Sequence, residues 1–216
     1  MKTRIIVFML AMLTIAATFS VWQGPTTASA DNGSRQNKQE RERKPQLRPG
    51  WPKQGSIVLE VTSRPGQNSV SQTFDGPFGP VTVELTSSPV TSSAPTGLVT
   101  GAVTAAYTEY SRSCTSTYRF GISARYTIYV NFRYNYSSVT WMGKTTDSAW
   151  SIPAFWWDNR TTWNDWSYGW RYAWGNGRAT LKWGVGWAST TTGRVHNNVM
   201  VDAWGNCTAR QYFNWG

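Results

Sequence analysis

The sequence has only one histidine, His196, and only two cysteines, Cys114 and Cys207. Zinc sites built on two or three histidines are therefore excluded, and two cysteines are too few for a thiolate-rich metal site. A Ser-His-Asp triad is arithmetically open through His196 and Asp202, but no G-x-S-x-G segment or other nucleophile motif supports it. The sequence thus predicts no bound metal, no cofactor and no catalytic residue.

Acidic residues are also scarce, with 11 in the chain. A glycoside hydrolase needs two carboxyl groups that face each other across a cleft. Glu109 shares a strand phase with apolar neighbours and Asp158 lies in a tryptophan-rich segment, so these two are candidates for such a reaction. The alternative for Glu109 is a strand-end ion pair with Arg112 or Arg119. Oxygen atoms of the 158–165 segment could also serve calcium, although the spacing is not that of an EF-hand.

Helical periodicity is missing after residue 54, and charged residues make up only 15% of the chain. Aromatic residues reach the same share, with 14 Trp, 10 Tyr and 8 Phe, and such residues favour strands. Short alternating segments are separated by glycine and proline turn signals. We therefore expect an all-β fold over residues 54–216, either an antiparallel β-sandwich or a flattened barrel, with one disulfide.

The longest apolar run lies at the N-terminus. Lys2 and Arg4 precede an apolar stretch over residues 5–17, and residues 28–30 form an A-x-A cleavage site. This order is typical of a secretory signal peptide, so we expect residues 1–30 to be removed and the protein to be secreted. The alternative is an uncleaved membrane anchor, which the polar residues after the run disfavour.

Residues 31–53 contain one Leu and one Trp among Arg, Lys, Gln and Pro. Such a segment buries too little apolar surface to offset its ordering entropy, and we expect a basic disordered linker. The whole chain has a formal net charge of +10. This charge would draw a secreted protein to wall polymers, acidic glycans or lipid headgroups, although it would also serve solubility alone.

The two cysteines form an even pair, which commonly bridges in an oxidising compartment. We therefore expect a Cys114–Cys207 disulfide, which would tie the segment before the Tyr118 strand to the turn after the Arg194 strand. The alternative is two buried free thiols. The longest alternation, Tyr118–Tyr136, exceeds an ordinary strand, so we expect a bulge or bend near Gly121 or a strand that passes between sheets.

A central hairpin is predicted between Trp163 and Trp187. Asn176-Gly177 is the strongest short signal for a two-residue type I′ turn, and this turn would pair Trp174 with Ala179. One face of the ribbon would then be apolar. We expect Tyr168, Trp170, Tyr172, Leu181, Trp183 and Val185 to point inward, with Arg171 and Lys182 in water.

Residues 143–164, which lack clear alternation, predict a loop that carries the candidate ligand site. Trp156 and Trp157 are adjacent, so extended backbone cannot direct both into one core face. Indole rings beside amides, carboxylates and an arginine supply the stacking and hydrogen bonding that sugar rings require. The alternative is that these indoles cap the open end of the core. The candidate ligand-binding residues are Trp156, Trp157, Asp158, Asn159, Arg160, Trp163, Asn164 and Asp165.

The sequence-based hypothesis is a secreted, non-catalytic β domain that acts as a binding or surface-interaction module. Its expected partner is an extracellular polysaccharide, a cell-wall polymer or another anionic surface. One alternative is a small extracellular carboxylate-dependent hydrolase, and another is a membrane-active basic aromatic protein whose amphipathic ribbons insert. We expect no nucleic-acid partner and no stable membrane insertion, and the oligomeric state is left open.

Overall fold

The computed structural model describes residues 47–93, 108–185 and 188–216, and these form an all-β structure with one short 3₁₀ helix, Tyr168–Trp170. The strands are β1 (Gly55–Ser63), β2 (Ser69–Gly76), β3 (Gly79–Ser87), β4 (Thr91–Ser93), β5 (Glu109–Phe120), β6 (Ala124–Tyr134), β7 (Val139–Met142), β8 (Thr146–Ser151), β9 (Phe155–Trp166), β10 (Tyr172–Val185), β11 (Ala188–Asp202) and β12 (Cys207–Trp215). No helix in the described ranges has the length and apolarity needed to cross a membrane.

The strands form two antiparallel sheets. Sheet A has the order β1-β12-β11-β10-β9. Sheet B has the order β2-β3-β5-β6-β7, with β4 paired to β5 and β8 paired to β6. The predicted antiparallel β-sandwich is confirmed.

Large side chains of sheet B fill the core against small residues of β10. The inward residues of β6, among them Ile128 and Val130, are fully buried. Opposite them lie Gly175 and Gly177, where an added Cβ would approach Val130 Cγ2 at 2.4 Å and Ile128 Cγ2 at 2.5 Å. Because these glycines have no side chain, the two sheets can approach each other closely here.

The predicted turn at Asn176-Gly177 is wrong. Both residues lie inside β10, where Asn176 is paired with Asn198 of β11 on one side and with Trp163 of β9 on the other. The turn motif reports a local preference, and here pairing on both strand edges outweighs it. The connection from β10 to β11 passes through residues 186–187, which lie outside the described residues.

Because β10 continues as one strand through position 176, residues before and after this position keep the same alternation of faces. The predicted inward set is therefore only partly correct. Leu181 is buried and Trp183 is half-buried against the core, as predicted, whereas the half-buried Tyr172 shares the strand phase of Arg178 and so faces away from sheet B. Trp170 is exposed, which contradicts the prediction, whereas Arg171 is exposed as expected. Lys182 is half-buried and paired with Asp158. The predicted positions of the Tyr168 and Val185 side chains lie outside the described residues.

The long alternation of Tyr118–Tyr136 contains a hairpin, so the expected bend within one strand is wrong. β5 and β6 are joined by a turn at residues 121–123, and Gly121 has a φ of 51°. Phe120 pairs with Ala124 and Tyr118 pairs with Tyr126. Because these partners are symmetric about the turn, even-numbered residues of both strands face the core and the phase continues unbroken.

The predicted disulfide is confirmed. Cys114 on β5 of sheet B is bonded to Cys207 on β12 of sheet A, with a Cα separation of 6.4 Å. Both cysteines are fully buried. The covalent bond therefore joins the two layers of the sandwich through its core.

The end of the predicted linker packs against the domain. Leu47 and Trp51 contact the core, and the Trp51 ring meets Trp215 edge-on at 5.5 Å. The indole N–H of Trp215 donates to the carbonyl of Pro52 at 3.1 Å. The predicted signal peptide and most of the predicted linker, residues 1–46, lie outside the described residues.

Candidate functional site

Residues 143–164 were predicted to form a loop. This prediction is wrong, because the segment contains strand β8 and most of strand β9. β8 pairs with β6 of sheet B, and β9 is the edge strand of sheet A beside β10. All eight candidate ligand-binding residues therefore lie on β9. β9 was not recognised in the sequence because an irregularity interrupts the alternation of its side chains between the two faces.

The irregularity is a β-bulge in the middle of β9. Thr161 is paired with Arg178, but Asp158 is paired with Thr180, so residues 159–160 together oppose a single position of β10. The first bulge residue, an asparagine, has a φ of 50°, a left-handed conformation that Asn tolerates better than most residues. The bulge shifts the strand phase by one residue.

The phase shift places one group of candidates on the outer face of sheet A, which is the face away from sheet B. Residues opposed across an antiparallel ladder share a face, so Trp156 and Asp158 lie on the side of Lys182. After the bulge, Trp163 and Asp165 lie on this face as well. Without the bulge, the two halves of β9 would present these side chains on opposite faces.

The other candidates face sheet B and hold β9 in place. Trp157 packs on Tyr126 at a ring distance of 5.6 Å, and its indole N–H donates to the carbonyl of Trp150 at 3.1 Å. Arg160 donates to Asp147 at 2.9 Å. The amide of Asn164 donates to the carbonyl of Gly143 at 2.8 Å and accepts from the Thr145 hydroxyl at 2.6 Å. Asn159 is exposed at the bulge.

A row of rings crosses the outer face of sheet A. His196 of β11 stacks between Trp163 and Tyr212, with ring distances of 5.4 Å and 5.5 Å and interplanar angles of 27° and 25°. The Arg178 guanidinium lies 4.9 Å from the Trp163 ring centre, a cation–π distance. We call Trp163, Arg178, His196 and Tyr212 the aromatic row.

A polar network fixes one end of this row. The Asp165 carboxylate accepts hydrogen bonds from the Trp163 indole and from the Asn176 amide, each at 2.9 Å. The Asn176 carbonyl oxygen faces His196 Nε2 at 3.1 Å and accepts from the Asn198 amide at 2.7 Å. Because that oxygen is an acceptor, Nε2 of His196 carries the proton and Nδ1 is left as the acceptor of the neutral ring.

Two causes keep the histidine neutral. Burial lowers the pKa of His196 below its ordinary value, and the nearby Arg178 lowers it further, while Asp165 opposes both. The imidazole is therefore uncharged at neutral pH, and its Nδ1 is a hydrogen-bond acceptor.

A shallow groove of about 710 Å³ runs beside the aromatic row. Three of its side chains are cationic: Arg178, Lys182 and Arg194. Lys182 forms an ion pair with Asp158, whose pKa this contact lowers, whereas Arg178 and Arg194 form no ion pair within the described residues. The groove is lined by Asn159, Thr161, Arg178, Ala179, Thr180, Lys182, Arg194, Val195, His196, Tyr212 and Asn214.

Of the eight predicted ligand-binding residues only Asn159 lines the groove, and the groove residues that sequence reasoning did not assign to a ligand include Arg178, Arg194, His196 and Tyr212. Each lies on a strand with clear alternation, but their grouping depends on the register between strands. The Gly205-Asn206 turn signal was visible in the sequence, but counting outward from a two-residue turn there would have paired His196 with Trp215, whereas the observed partner of His196 is Tyr212. No turn signal linked Arg178 to His196 and Tyr212.

The carboxylates of the described residues occur separately: six are in ion pairs, Asp202 caps a turn, and Asp165 accepts from Trp163 and Asn176. Glu109, the candidate for acid or base catalysis, accepts from Arg133 at 3.3 Å and from the Thr140 hydroxyl. Its predicted alternative partners are engaged elsewhere, since Arg119 binds Glu84 and Arg112 is buried. Within the described ranges, no group of three His, Cys, Asp or Glu residues is placed to hold a metal ion.

The chain was compared with known families, proteins and structures. No match was found. This holds for protein-family models, for curated proteins and for solved structures alike. The chemistry of the groove is therefore the basis for the functional conclusion.

Proposed function

We propose that this protein is a secreted, non-catalytic module that binds an anionic extracellular polysaccharide in the groove on the outer face of sheet A. The observation that carries the proposal is the aromatic row with its Arg178 and the adjacent Arg194, two arginines that have no ion-pair partner among the described residues. Sugar rings offer apolar C–H faces to aromatic side chains and hydroxyl groups to amides. The groove provides both kinds of group on one open surface.

The charge of the groove favours an acidic polymer. An arginine fork binds carboxylate, sulfate or phosphate oxygens through paired hydrogen bonds, and such bonds are stronger than neutral ones. Arg178 and Arg194 both line the groove. A neutral glycan would leave these two guanidinium groups without a counter-charge, so uronic or phosphate-bearing chains fit better.

The rigidity of the groove supports a binding role. Its side chains stand on four paired strands, and the network around Asn176 holds the aromatic row through short hydrogen bonds. Groups that are already ordered lose little conformational entropy when a ligand arrives. Secretion is part of the proposal, supported by the N-terminal sequence pattern and by a disulfide that fits an oxidising compartment.

The test uses polygalacturonate as an acidic probe and dextran as a neutral one, with calorimetry near physiological salt. We expect polygalacturonate to bind and dextran to bind far more weakly. Arg178→Gln with Arg194→Gln should weaken binding at least about tenfold, because hydrogen bonds to charged groups contribute about 1.5 to 3 kcal/mol each.

The matched control is Arg125→Gln with Arg133→Gln, two exposed arginines of β6 in sheet B. This double variant loses the same net charge and is expected to bind like the unmodified protein. Equal losses in both double variants would mean that binding follows net charge and is not located in the groove. Absence of polygalacturonate binding would overturn the proposal.

A further inference from the structure

One end of the sandwich displays large aromatic side chains to water. Trp170, Trp204 and Tyr136 are 48%, 47% and 51% exposed, and Trp166 is 38% exposed. They lie after β9, in the β11–β12 turn and after β6, at the end opposite Phe155 and Phe120. We call Tyr136, Trp166, Trp170 and Trp204 the aromatic end.

Contacts between the turns bring these side chains together. The Trp166 and Trp170 rings lie 4.3 Å apart, and the Arg171 carbonyl accepts from the Ala203 amide at 3.0 Å. Trp204 follows directly on the chain. The two turns of sheet A are thus neighbours.

Residues of sheet B also lie close to the turn that carries Trp204. An added Cβ on Gly205 would lie 2.5 Å from the Tyr134 hydroxyl oxygen, so no side chain larger than hydrogen fits there. The Tyr134 ring in turn lies 5.5 Å from that of Tyr136. The exposed tyrosine therefore borders the turn that carries Trp204.

Two of these aromatic residues stand on strained backbone. Trp170 has a φ of 58° and Tyr136 a φ of 64°, in the left-handed region that glycine and asparagine prefer. Bulky residues in this region cost on the order of 1 to 3 kcal/mol each. Each site therefore carries a large ring that remains half in water, at a position where glycine would relax the backbone. Such strain points to a role for the exposed ring beyond packing.

The charges at this end are positive. Arg64 and Arg171 are exposed, and the Arg64 carbonyl and the Gly205 carbonyl both accept from the buried Arg112 guanidinium, which places the β1–β2 turn beside Trp204. The nearby carboxylates are engaged: Asp202 is buried and accepts from the Trp204 and Asn206 amides, and the exposed Asp165 accepts from the Trp163 indole and the Asn176 amide. Glu109 is paired with Arg133.

We propose that the aromatic end docks onto the interface of a lipid bilayer that carries anionic headgroups. Indole and phenol rings prefer the headgroup level of a membrane, where the ring is partly buried and its N–H or O–H stays hydrated. The exposed arginines meet the lipid phosphates, which adds attraction that depends on salt. The docking is peripheral, since the side chains come from turns and not from a spanning segment.

A polysaccharide is the less suitable occupant here. The turn carbonyls that would accept from sugar hydroxyls are used internally by Arg112 and by the Ala203 amide. The surface therefore offers rings and cations but few free acceptors. It also lies at one end of the sandwich, whereas the groove lies on a face.

The test measures partition onto vesicles of phosphatidylcholine with and without phosphatidylglycerol, by sedimentation of the full chain. We expect binding to the mixed vesicles, and weaker binding to phosphatidylcholine alone. Trp170→Asn with Trp204→Ser should lower the partition coefficient at least about tenfold, because two rings that are buried on docking are lost. Asparagine is chosen at 170 because it tolerates the left-handed backbone.

The chain offers a matched control. Trp141 and Trp150 on sheet B are 47% and 48% exposed, the same as Trp204 and Trp170. Trp141→Ser with Trp150→Ser should leave the partition coefficient unchanged. Near-ultraviolet circular dichroism and the melting temperature verify that both double variants are folded.

Three results would overturn the proposal: no vesicle binding by the unmodified protein, equal losses in both double variants, or loss of polygalacturonate binding in the Trp170/Trp204 variant while vesicle binding is kept. The last result would assign the aromatic end to the glycan. Quenching of tryptophan fluorescence by brominated lipid gives a second readout, which should fall in the Trp170/Trp204 variant alone. Failure of the groove proposal does not affect the first two outcomes, because the vesicles carry no polysaccharide.

Discussion

Arg112 donates a hydrogen bond to the carbonyl of Gly205, and this bond joins β5 of sheet B to the β11–β12 turn of sheet A. The same guanidinium donates to the carbonyls of Arg64 and Gln67 at 2.8 Å and 3.0 Å, and to the Ser87 hydroxyl at 2.6 Å. Burial lowers the pKa of Arg112, which nevertheless remains charged. One buried cation thus organises four segments at the aromatic end.

Replacing this arginine should destabilise the protein strongly. Arg112→Met leaves the carbonyls of Arg64, Gln67 and Gly205 without their donor, and we expect the free energy of unfolding to fall by about 3 kcal/mol or more. Arg112→Lys keeps the charge but has no fork to reach all acceptors, so an intermediate loss is expected. Urea denaturation measures both. A Met variant as stable as the unmodified protein would refute this role.

Removal of the disulfide should also reduce stability. The bond closes a loop with a sequence separation of 93, for which the chain-entropy model gives about 4 to 5 kcal/mol. Guanidinium denaturation with and without reductant measures the difference, and Cys114→Ser with Cys207→Ser serves as the non-reducible control. A midpoint that does not change on reduction would contradict this estimate.

Two tryptophans of β9 should differ in their roles, with Trp157 needed for stability and Trp163 for binding. Trp157 packs on Tyr126, so Trp157→Ala should lower the free energy of unfolding by about 2 kcal/mol. Trp163 lies in the aromatic row, so Trp163→Ala should weaken polygalacturonate binding about tenfold and alter stability less. Calorimetry and thermal melts of the two variants test this contrast. The reverse pattern would show that the ligand site lies on the other side of β9.

The stability of the protein should depend on the protonation of its only histidine. Because the folded pKa of His196 lies below the unfolded value of 6.5, the unfolded state takes up the proton first as the pH falls. The His196 contribution to stability is therefore complete above the unfolded pKa, and it is lost from there down to the folded pKa.

The matching control is His196→Gln, which removes the titrating group. Denaturant midpoints measured between about pH 5 and 7 should fall less steeply on acidification in this variant than in the unmodified protein. Identical slopes would mean that His196 has the same pKa in both states.

The class of fold and the disulfide could be predicted from the sequence. The all-β class follows from the many aromatic strand formers and from alternating segments, and the disulfide follows from the single pair of cysteines. The hairpin at Asn176-Gly177 was misassigned because a glycine that is needed for close sheet packing looks the same, in one sequence, as a glycine that is needed for a turn. Only the position of Ile128 and Tyr126 across the core distinguishes the two.

The candidate site was less accessible, for two physical reasons. The bulge at residues 159–160 reverses the phase of β9, so no single period describes the strand and Trp163 could not be assigned to a face. Arg178, His196 and Tyr212 are brought together by cross-strand register, which depends on the lengths of two connections. The sequence therefore pointed to β9 as the candidate strand, but of its eight candidates only Asn159 lines the groove, and the groove residues of the neighbouring strands were not predicted.

The most direct test of the groove uses the fact that the chain has one histidine, and that it lies in the aromatic row. Its imidazole gives a single set of nuclear magnetic resonance signals, which can be followed during titration with polygalacturonate. We predict that these signals shift on binding and that the pKa of His196 rises, because the bound carboxylates favour the charged ring. Signals and pKa that stay unchanged while calorimetry reports saturable binding would contradict the placement of the ligand in this groove.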